Sequence, residues 1–174
     1  MTTVRRLQPD DADAYRALML DAYARHPDAF TSSAAERAAL PLSWWHGRLD
    51  AAPFATEIVF GALDGEGGAL VGATGLSFEA REKARHKAQL FGMVVLASHR
   101  AHGVGAALVE AALAEARSRA GVRLVQLTVT QGNAGAERLY QRFGFVPFGV
   151  EPMAVAVGEG YVAKVHMWCD LRRP

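Results

Sequence analysis

Cysteine is nearly missing from this chain. Cys169 is the single one in 174 residues, so it has no partner for an internal disulfide and no second thiol for a structural zinc site, which fits a reducing compartment. Long apolar runs are missing too. No stretch approaches the roughly 20 residues needed to cross a bilayer, and the polar start, residues 1–13, has neither the basic opening nor the apolar centre of a signal peptide. The chain is therefore expected in the cytoplasm, with no membrane partner. Excess charge is absent as well: nineteen Lys and Arg against eighteen Asp and Glu leave a formal +1, too weak a global field to draw the protein onto nucleic acid. Internal repeats and low-complexity tracts are lacking, so one continuous domain over residues 1–174 is expected.

What the chain does contain is 51% hydrophobic and 21% charged residues, the balance of an ordinary globular protein. A short strand is expected over 3–7, then a helix opened by Pro9, Asp10 and Asp11 with Ala14, Leu18 and Ala22 on one side. A second helix is expected over about 33–49. Residues 56–63 and 69–78 read as strands joined by a Gly-rich turn at 64–68, and 88–96 as a largely apolar strand of the kind covered on both faces. Over 103–119, Gly105, Leu108, Val109, Ala112, Leu113 and Ala116 recur at helical spacing, and Gly121 ends the run. A strand at 122–129 precedes a helix capped by Asn133, with Ala136, Leu139, Tyr140 and Phe143 as its buried stripe and Gly144 closing it. Strands at 145–157 and 161–170 complete a mixed α/β order with parallel pairing in its middle.

Chemistry concentrates between the apolar strand and the long amphipathic helix, at Arg100-Ala101-His102-Gly103-Val104-Gly105-Ala106. Glycines there let backbone N–H groups converge, and the helix that follows adds the positive end of its dipole, so the segment suits a diphosphate. A tight strand-to-helix turn would use the same glycines. A P-loop would require Gly-Lys-Ser or Gly-Lys-Thr, where Gly105 is followed by Ala106 and Ala107. A dinucleotide fingerprint would require a small residue in place of Leu108 and an acid after the next strand, where the chain reads Thr128-Val129-Thr130-Gln131.

The run from Arg100 to Ala106 resembles the Arg/Gln-x-x-Gly-x-Gly/Ala signature of the GNAT superfamily of acyl-CoA N-acetyltransferases. The strand Phe91-Gly92-Met93-Val94-Val95 matches the family's splayed central strand, and Asn133, Ala136, Tyr140 and Gly144-Phe145 match the second half of its coenzyme site. The resemblance, strongest over 89–148, implies a single-domain α/β (α+β) fold. Its sheet would be mixed and mostly antiparallel, with a splayed central parallel strand pair flanked by helices. Acetyl-CoA is implied as cosubstrate. The amides around Ala101, His102, Gly103, Val104, Gly105 and Ala106 would hold its pyrophosphate beside Arg100. The main chain of Val94 and Val95 would pair with its pantetheine arm as an added strand does, and Met93, Asn133, Ala136 and Tyr140 would border the coenzyme.

Tyr140 is the implied donor to the departing sulfur; on spacing alone it is also an ordinary core aromatic. An alkyl ammonium near pKa 10.4 is neutral about one time in a thousand at pH 7, a cost of roughly 4 kcal/mol, so something must assist deprotonation. Several relatives place a glutamate where this chain has Gln89, which is no base. His86, Glu57, Glu79, or a water held by Gln89 and backbone carbonyls remain as candidates. The mixed-charge run 81–87 reads as a solvated loop. His99 and His102 lack a third clustered ligand, so no metal is expected. Trp44-Trp45, with residues 30–33, can wall an acceptor pocket, although adjacent tryptophans more often pack against the sheet or a partner subunit, which leaves a homodimer open. The expected activity is acetyl transfer to a small-molecule or peptide amine by direct attack, with the acceptor unspecified. A non-enzymatic alternative is an acyl-CoA-binding sensor, for which Gln89 is the support.

Overall fold

Strands that are apolar on both faces need cover on both sides, and β2 (Glu57–Asp64) and β3 (Leu70–Phe78) each carry six consecutive buried residues. In the computed structural model, which describes residues 1–172, they sit inside a seven-stranded sheet. The other strands are β1 (Thr2–Arg6), β4 (Lys87–Val95), β5 (Leu124–Thr130), β6 (Val146–Val157) and β7 (Gly160–Asp170). The order is β1-β2-β3-β4-β5-β7-β6. Every neighbouring pair is antiparallel except β4 with β5, which is parallel.

One face is covered by α4 (Val104–Ser118), whose buried stripe is Val104, Leu108, Val109, Ala112, Leu113 and Ala116, with α5 (Ala134–Arg142) beside it. Ile58, Phe60, Leu76, Leu90 and Leu127 join α4 in that core. A second core on the opposite face packs α1 (Ala12–Arg25) and α3 (Leu42–Arg48) onto Leu7, Val59, Ala73 and Val94.

The N-terminal helices differ from the sequence expectation in two ways. The stripe of α1 is Ala12, Tyr15, Leu18, Met19, Ala22 and Tyr23. Ala14 is exposed, because the stripe is centred on Tyr15 and Met19 and Ala14 falls off its edge. The helix expected over 33–49 is two helices, α2 (Ala34–Ala38) and α3. Pro41 divides them: it cannot continue a helix from the residues before it and instead stands as the N-cap of α3. α2 is short, but its start is fixed by a reciprocal box in which Ser33 Oγ accepts from the Glu36 amide and the Glu36 carboxylate accepts from the Ser33 amide.

Two irregularities of β4 shape the middle of the sheet. Its parallel ladder with β5 covers only Lys87–Leu124, Ala88–Val125 and Gln89–Gln126. On the other side, Ala73 faces Val94 and Gly75 faces Phe91, so Thr74 alone opposes both Gly92 and Met93. That is a β-bulge. Gly92 has φ 61°, a left-handed conformation that costs a residue with a Cβ about 1–2 kcal/mol. The Thr74 hydroxyl ties the bulge by donating to the Phe91 carbonyl at 3.3 Å.

Space is not the obstacle at Gly92, since an added Cβ would come no closer than 3.7 Å to Met19 Cε. Gly92→Ala is therefore expected to lower stability by about 1 kcal/mol through the backbone alone, a Tm drop of about 2–4 °C for a chain of this size. Thermal denaturation checks this; an unchanged Tm would mean that the bulge relaxes without the glycine.

Candidate active site

Past Gln89 and Gln126 the parallel strands separate, and two adjoining cavities occupy the opening. One, of about 650 Å³, reaches from Val95 to the first turns of α4 and α5; the other, of about 330 Å³, is bounded by Gln89–Met93, Thr128–Thr130, Tyr140 and the N-terminal helices. Ala29, Phe30, Met93, Asn133 and Ala136 line both. A ligand in one cavity therefore abuts a ligand in the other.

The larger cavity combines a helix start, a guanidinium and a strand edge. α4 makes its first internal bond from the Ala107 amide to Gly103 O at 3.0 Å, so the amides of its opening turn have no intrahelical acceptor. Gly103, at φ 79°, caps the helix in the left-handed region, and Ala101 shares that region at φ 63°. Arg100 adds a positive side chain, with its Nε donating to Val95 O at 3.1 Å and a terminal nitrogen 3.0 Å from His26 Nε2. The Leu96 amide donates to Val71 O at 2.9 Å. By the alternation of an antiparallel ladder, Val94 then bonds to β3, while the N–H and C=O of Val95 point into the opening.

The smaller cavity receives Tyr140, which is 5% exposed and meets Phe145 edge-on at 5.7 Å. Burial pushes its phenol pKa well above the usual tyrosine value, so the hydroxyl stays a donor across the physiological range. It has no hydrogen-bond partner among the described residues. Asn133 caps α5 by accepting from the Ala136 amide at 3.2 Å through Oδ1, which leaves its side-chain NH₂ turned to neither helix bond nor cap.

Lys164 is the least expected member of the site. It is 5% exposed, and its Nζ donates to Ala29 O at 3.0 Å, to Thr130 Oγ1 at 3.1 Å and to Asp28 O at 3.4 Å. Burial lowers its pKa, opposed by the charges of Asp28 and Glu151. One side chain on β7 thus anchors the segment between α1 and α2 against the floor of the cavity.

Of the residues singled out by sequence, Gln89, Met93, Asn133, Ala136 and Tyr140 line the smaller cavity, and Val94, Val95, Arg100, Ala101, Gly103, Val104, Gly105 and Ala106 line the larger one together with Met93, Asn133 and Ala136. His102 is exposed and stands outside both linings, beside Met1 and Asp64. His86 is exposed at the far end of β4, where its carbonyl accepts from the amides of Arg123 and Leu124 at 2.7 and 3.1 Å. Glu79 lies on the surface, where its hydrogen bonds to Arg81 hold the carboxylate down to about 2. Glu57 pairs with Arg48 at 2.8 Å. Phe30, Thr31 and Ser32 wall the cavity, whereas Trp45 is fully buried against Tyr15. Tyr23, Arg37, Arg48 and Lys164 were not legible from sequence, because no motif or spacing connects α1, α2, α3 and β7. Among the described residues no group of three or more His, Cys, Asp or Glu is placed to hold a metal ion.

A mixed sheet splays between its parallel strands, and the start of α4 stands at the opening. Residues 14–145 match the sequence profile of the Acetyltransferase (GNAT) family, and the chain belongs to that family. A mycothiol acetyltransferase from Salinispora tropica is 32% identical over 144 residues, which cover 82% of this chain and 44% of that protein. The chain thus spans less than half the length of that curated relative. A GNAT-family acetyltransferase from Streptococcus pneumoniae superimposes with a TM-score of 0.83 at 25% identity, covering 97% of this chain and 98% of its own. An acetyltransferase from Salmonella typhimurium, solved with its cofactor acetyl-CoA, shares the fold with a TM-score of 0.79 at 19% identity, over 100% of this chain and 96% of its own.

Lys164→Ala is expected to lower stability by about 2 kcal/mol, since three acceptors lose a charged donor at once. It should also speed amide exchange in the segment around 28–32 while leaving α4 protected. Exchange rates at 28–32 equal to those of the unsubstituted protein would show that the anchor lies elsewhere.

Proposed function

We propose that this chain is an N-acetyltransferase that moves the acetyl group of acetyl-CoA to a primary amine by direct attack, acting as one such domain in the cytoplasm. The observation that carries the reading is the end of the β4–β5 ladder at Gln89 and Gln126. It leaves a strand edge, a helix start and a second cavity along one path. The residues present fit acetyl-CoA: the opening amides of α4 and the Arg100 guanidinium suit a pyrophosphate. The outward main-chain groups at Val95 suit the amides of pantetheine. The thioester would then lie near Met93, Asn133 and Ala136, where the two cavities meet.

In this reading the amine enters the smaller cavity and its nitrogen attacks the thioester carbonyl carbon. A carbon–nitrogen bond forms, and the carbon–sulfur bond breaks with its electron pair passing to sulfur. Tyr140, held protonated by burial and free of other partners among the described residues, donates a hydrogen bond to the sulfur as the bond breaks, and the thiolate takes its proton from solvent. The proton lost from nitrogen passes to water beside Gln89. Glu57 and Glu79 are engaged by Arg48 and Arg81, and His86 is outside the cavity, so no side-chain base is invoked. Cys169 takes no part: it is buried, burial pushes its thiol pKa up, and its Sγ donates to Phe143 O at 3.4 Å.

Calorimetry with acetyl-CoA tests the reading at its base. Binding is expected, and Gly105→Glu is expected to abolish it, because a carboxylate would enter the anion site at the start of α4. No binding at millimolar acetyl-CoA would end the proposal, whereas binding without thiol release for any amine would favour the sensor alternative.

Tyr140→Phe is expected to lower kcat by about 10- to 100-fold, or about 1.4–2.8 kcal/mol in the barrier, with acetyl-CoA affinity within a few-fold. In the unsubstituted protein kcat/KM should climb with pH toward the pKa of the amine, with no separate acid limb from an enzyme base. A pH–rate profile that levels off near 6.5, or an unchanged kcat in the phenylalanine variant with chemistry rate-limiting, would contradict this division of labour.

A further inference from the structure

We infer that the acceptor is a small amine that also carries an oxyanion, a carboxylate in the simplest case, and that Arg37 and Arg48 recognise it. This rests on the acetyl-transfer reading and names its substrate class. The smaller cavity is lined by three cationic side chains, Arg37, Arg48 and Lys164, and by no Asp or Glu. A site for a polyamine or other purely cationic acceptor needs the opposite arrangement, since an ammonium group is drawn in by carboxylates and repelled by like charge.

The nearby acids do not reverse this balance. Glu57 pairs with Arg48 at 2.8 Å, and Glu36, exposed and bonded to the Ser33 amide, acts on Arg37 through charge alone; neither lines the cavity. Asp28 and Glu151 act on Lys164 at a distance. Asp28 belongs to the lining of the larger cavity, and Glu151 accepts from or faces His166 Nε2 at 2.9 Å. The three donors of Lys164 are already used on Asp28, Ala29 and Thr130, so Lys164 supplies charge rather than a hydrogen bond to the ligand.

Arg37 is differently placed. Its guanidinium carbon lies over the Trp44 ring, 4.6 Å from the centroid, and its side chain has no hydrogen bond or ion pair among the described residues. Arg48 lies over the same ring at 5.0 Å and over Phe91 at 4.6 Å. Stacking on aromatic faces holds a guanidinium plane while leaving the N–H groups at its edge to grip an oxyanion in two places. α2, which carries Arg37, is clamped at its start by the Ser33–Glu36 box. Tyr23, Phe30 and Phe91 supply apolar wall around these groups, and about 330 Å³ suits an acceptor the size of an amino acid.

The same charges assist the chemistry. A positive surround disfavours the ammonium form of the acceptor and so lowers the pKa of the bound amine, which supplies neutral nucleophile where Gln89 offers no base. The oxyanion offsets the repulsion that would otherwise keep the amine out.

The test compares kcat/KM for L-phenylalanine, L-methionine and L-leucine, each against its methyl ester and its decarboxylated amine, in the unsubstituted protein, Arg37→Gln and Arg37→Lys. The acids are expected to exceed their uncharged counterparts by about 10-fold or more. Arg37→Gln should remove that advantage mainly through KM, Arg37→Lys should keep part of it, and acetyl-CoA affinity by calorimetry should be unchanged in both. Esters or decarboxylated amines used as well as or better than the acids would overturn the inference, whereas acetyl-CoA binding with no turnover of acid, ester or amine would strike the acetyl-transfer reading. Loss of acetyl-CoA binding in the unsubstituted protein would strike the acetyl-transfer reading itself, and the two failures are thereby distinguished.

Discussion

The parallel ladder between β4 and β5 spans three residue pairs and then stops. Both cavities depend on that stop. A fully zipped pair would bond the outward groups of Val95 to β5 and close the space now bordered by Met93, Thr128 and Tyr140. The bulge at Gly92 and Met93 contributes from the other side, since two residues opposed to Thr74 bend β4 and increase its local twist. Unpaired strand edges are ordinarily hazardous inside a sheet because buried N–H and C=O groups demand partners. Here one of them, Val95 O, is met by Arg100 Nε, and the remainder are available to a ligand that brings its own amides.

The two cores play different parts around this opening. The core beneath α4 is mainly aliphatic, with Phe60, Tyr140 and Phe145 among its members, and it fixes the helix start that faces the larger cavity. The core beneath α1 and α3 is richer in aromatics, with Tyr15, Tyr23 and Trp45 buried. Its outer margin carries Arg37 and Arg48, both stacked on ring faces, of which Arg48 is also paired with an acid. Arg48 joins the two functions: it packs over Phe91, which precedes the bulge, and pairs with Glu57 at the start of β2. Because a guanidinium stacked on rings keeps its charge with few salt bridges, the margin stays positive.

The succession of elements along the chain, the helices α4 and α5 and the Gly-containing turn into α4 were legible in sequence because each is a local pattern. Apolar spacing places α4, Asn133 caps α5, and Gly103 with Gly105 marks the turn into a helix. What escaped is what the fold assembles from distant parts. Pro41 splits the helix expected over 33–49, and the break lets Arg37 and Arg48, on separate helices, converge over Trp44. Lys164 lies 34 residues from Thr130 and more than a hundred from Asp28 and Ala29, and nothing in its strand pattern distinguishes it from a surface lysine. Sequence named Gln89, whereas the cations that share its cavity, Arg37, Arg48 and Lys164, are side chains with no shared motif.

Hydrogen exchange read residue by residue with and without acetyl-CoA tests the central claim most directly, namely that the opened edge of β4 and the start of α4 form one binding path. Acetyl-CoA is expected to slow exchange at Met93 and Val95 and at the amides from Ala101 to Ala106, while β1 and the outer strand β6 are unaffected. Protection confined to other strands, or protection of the α4 start with Met93 and Val95 unchanged, would contradict it.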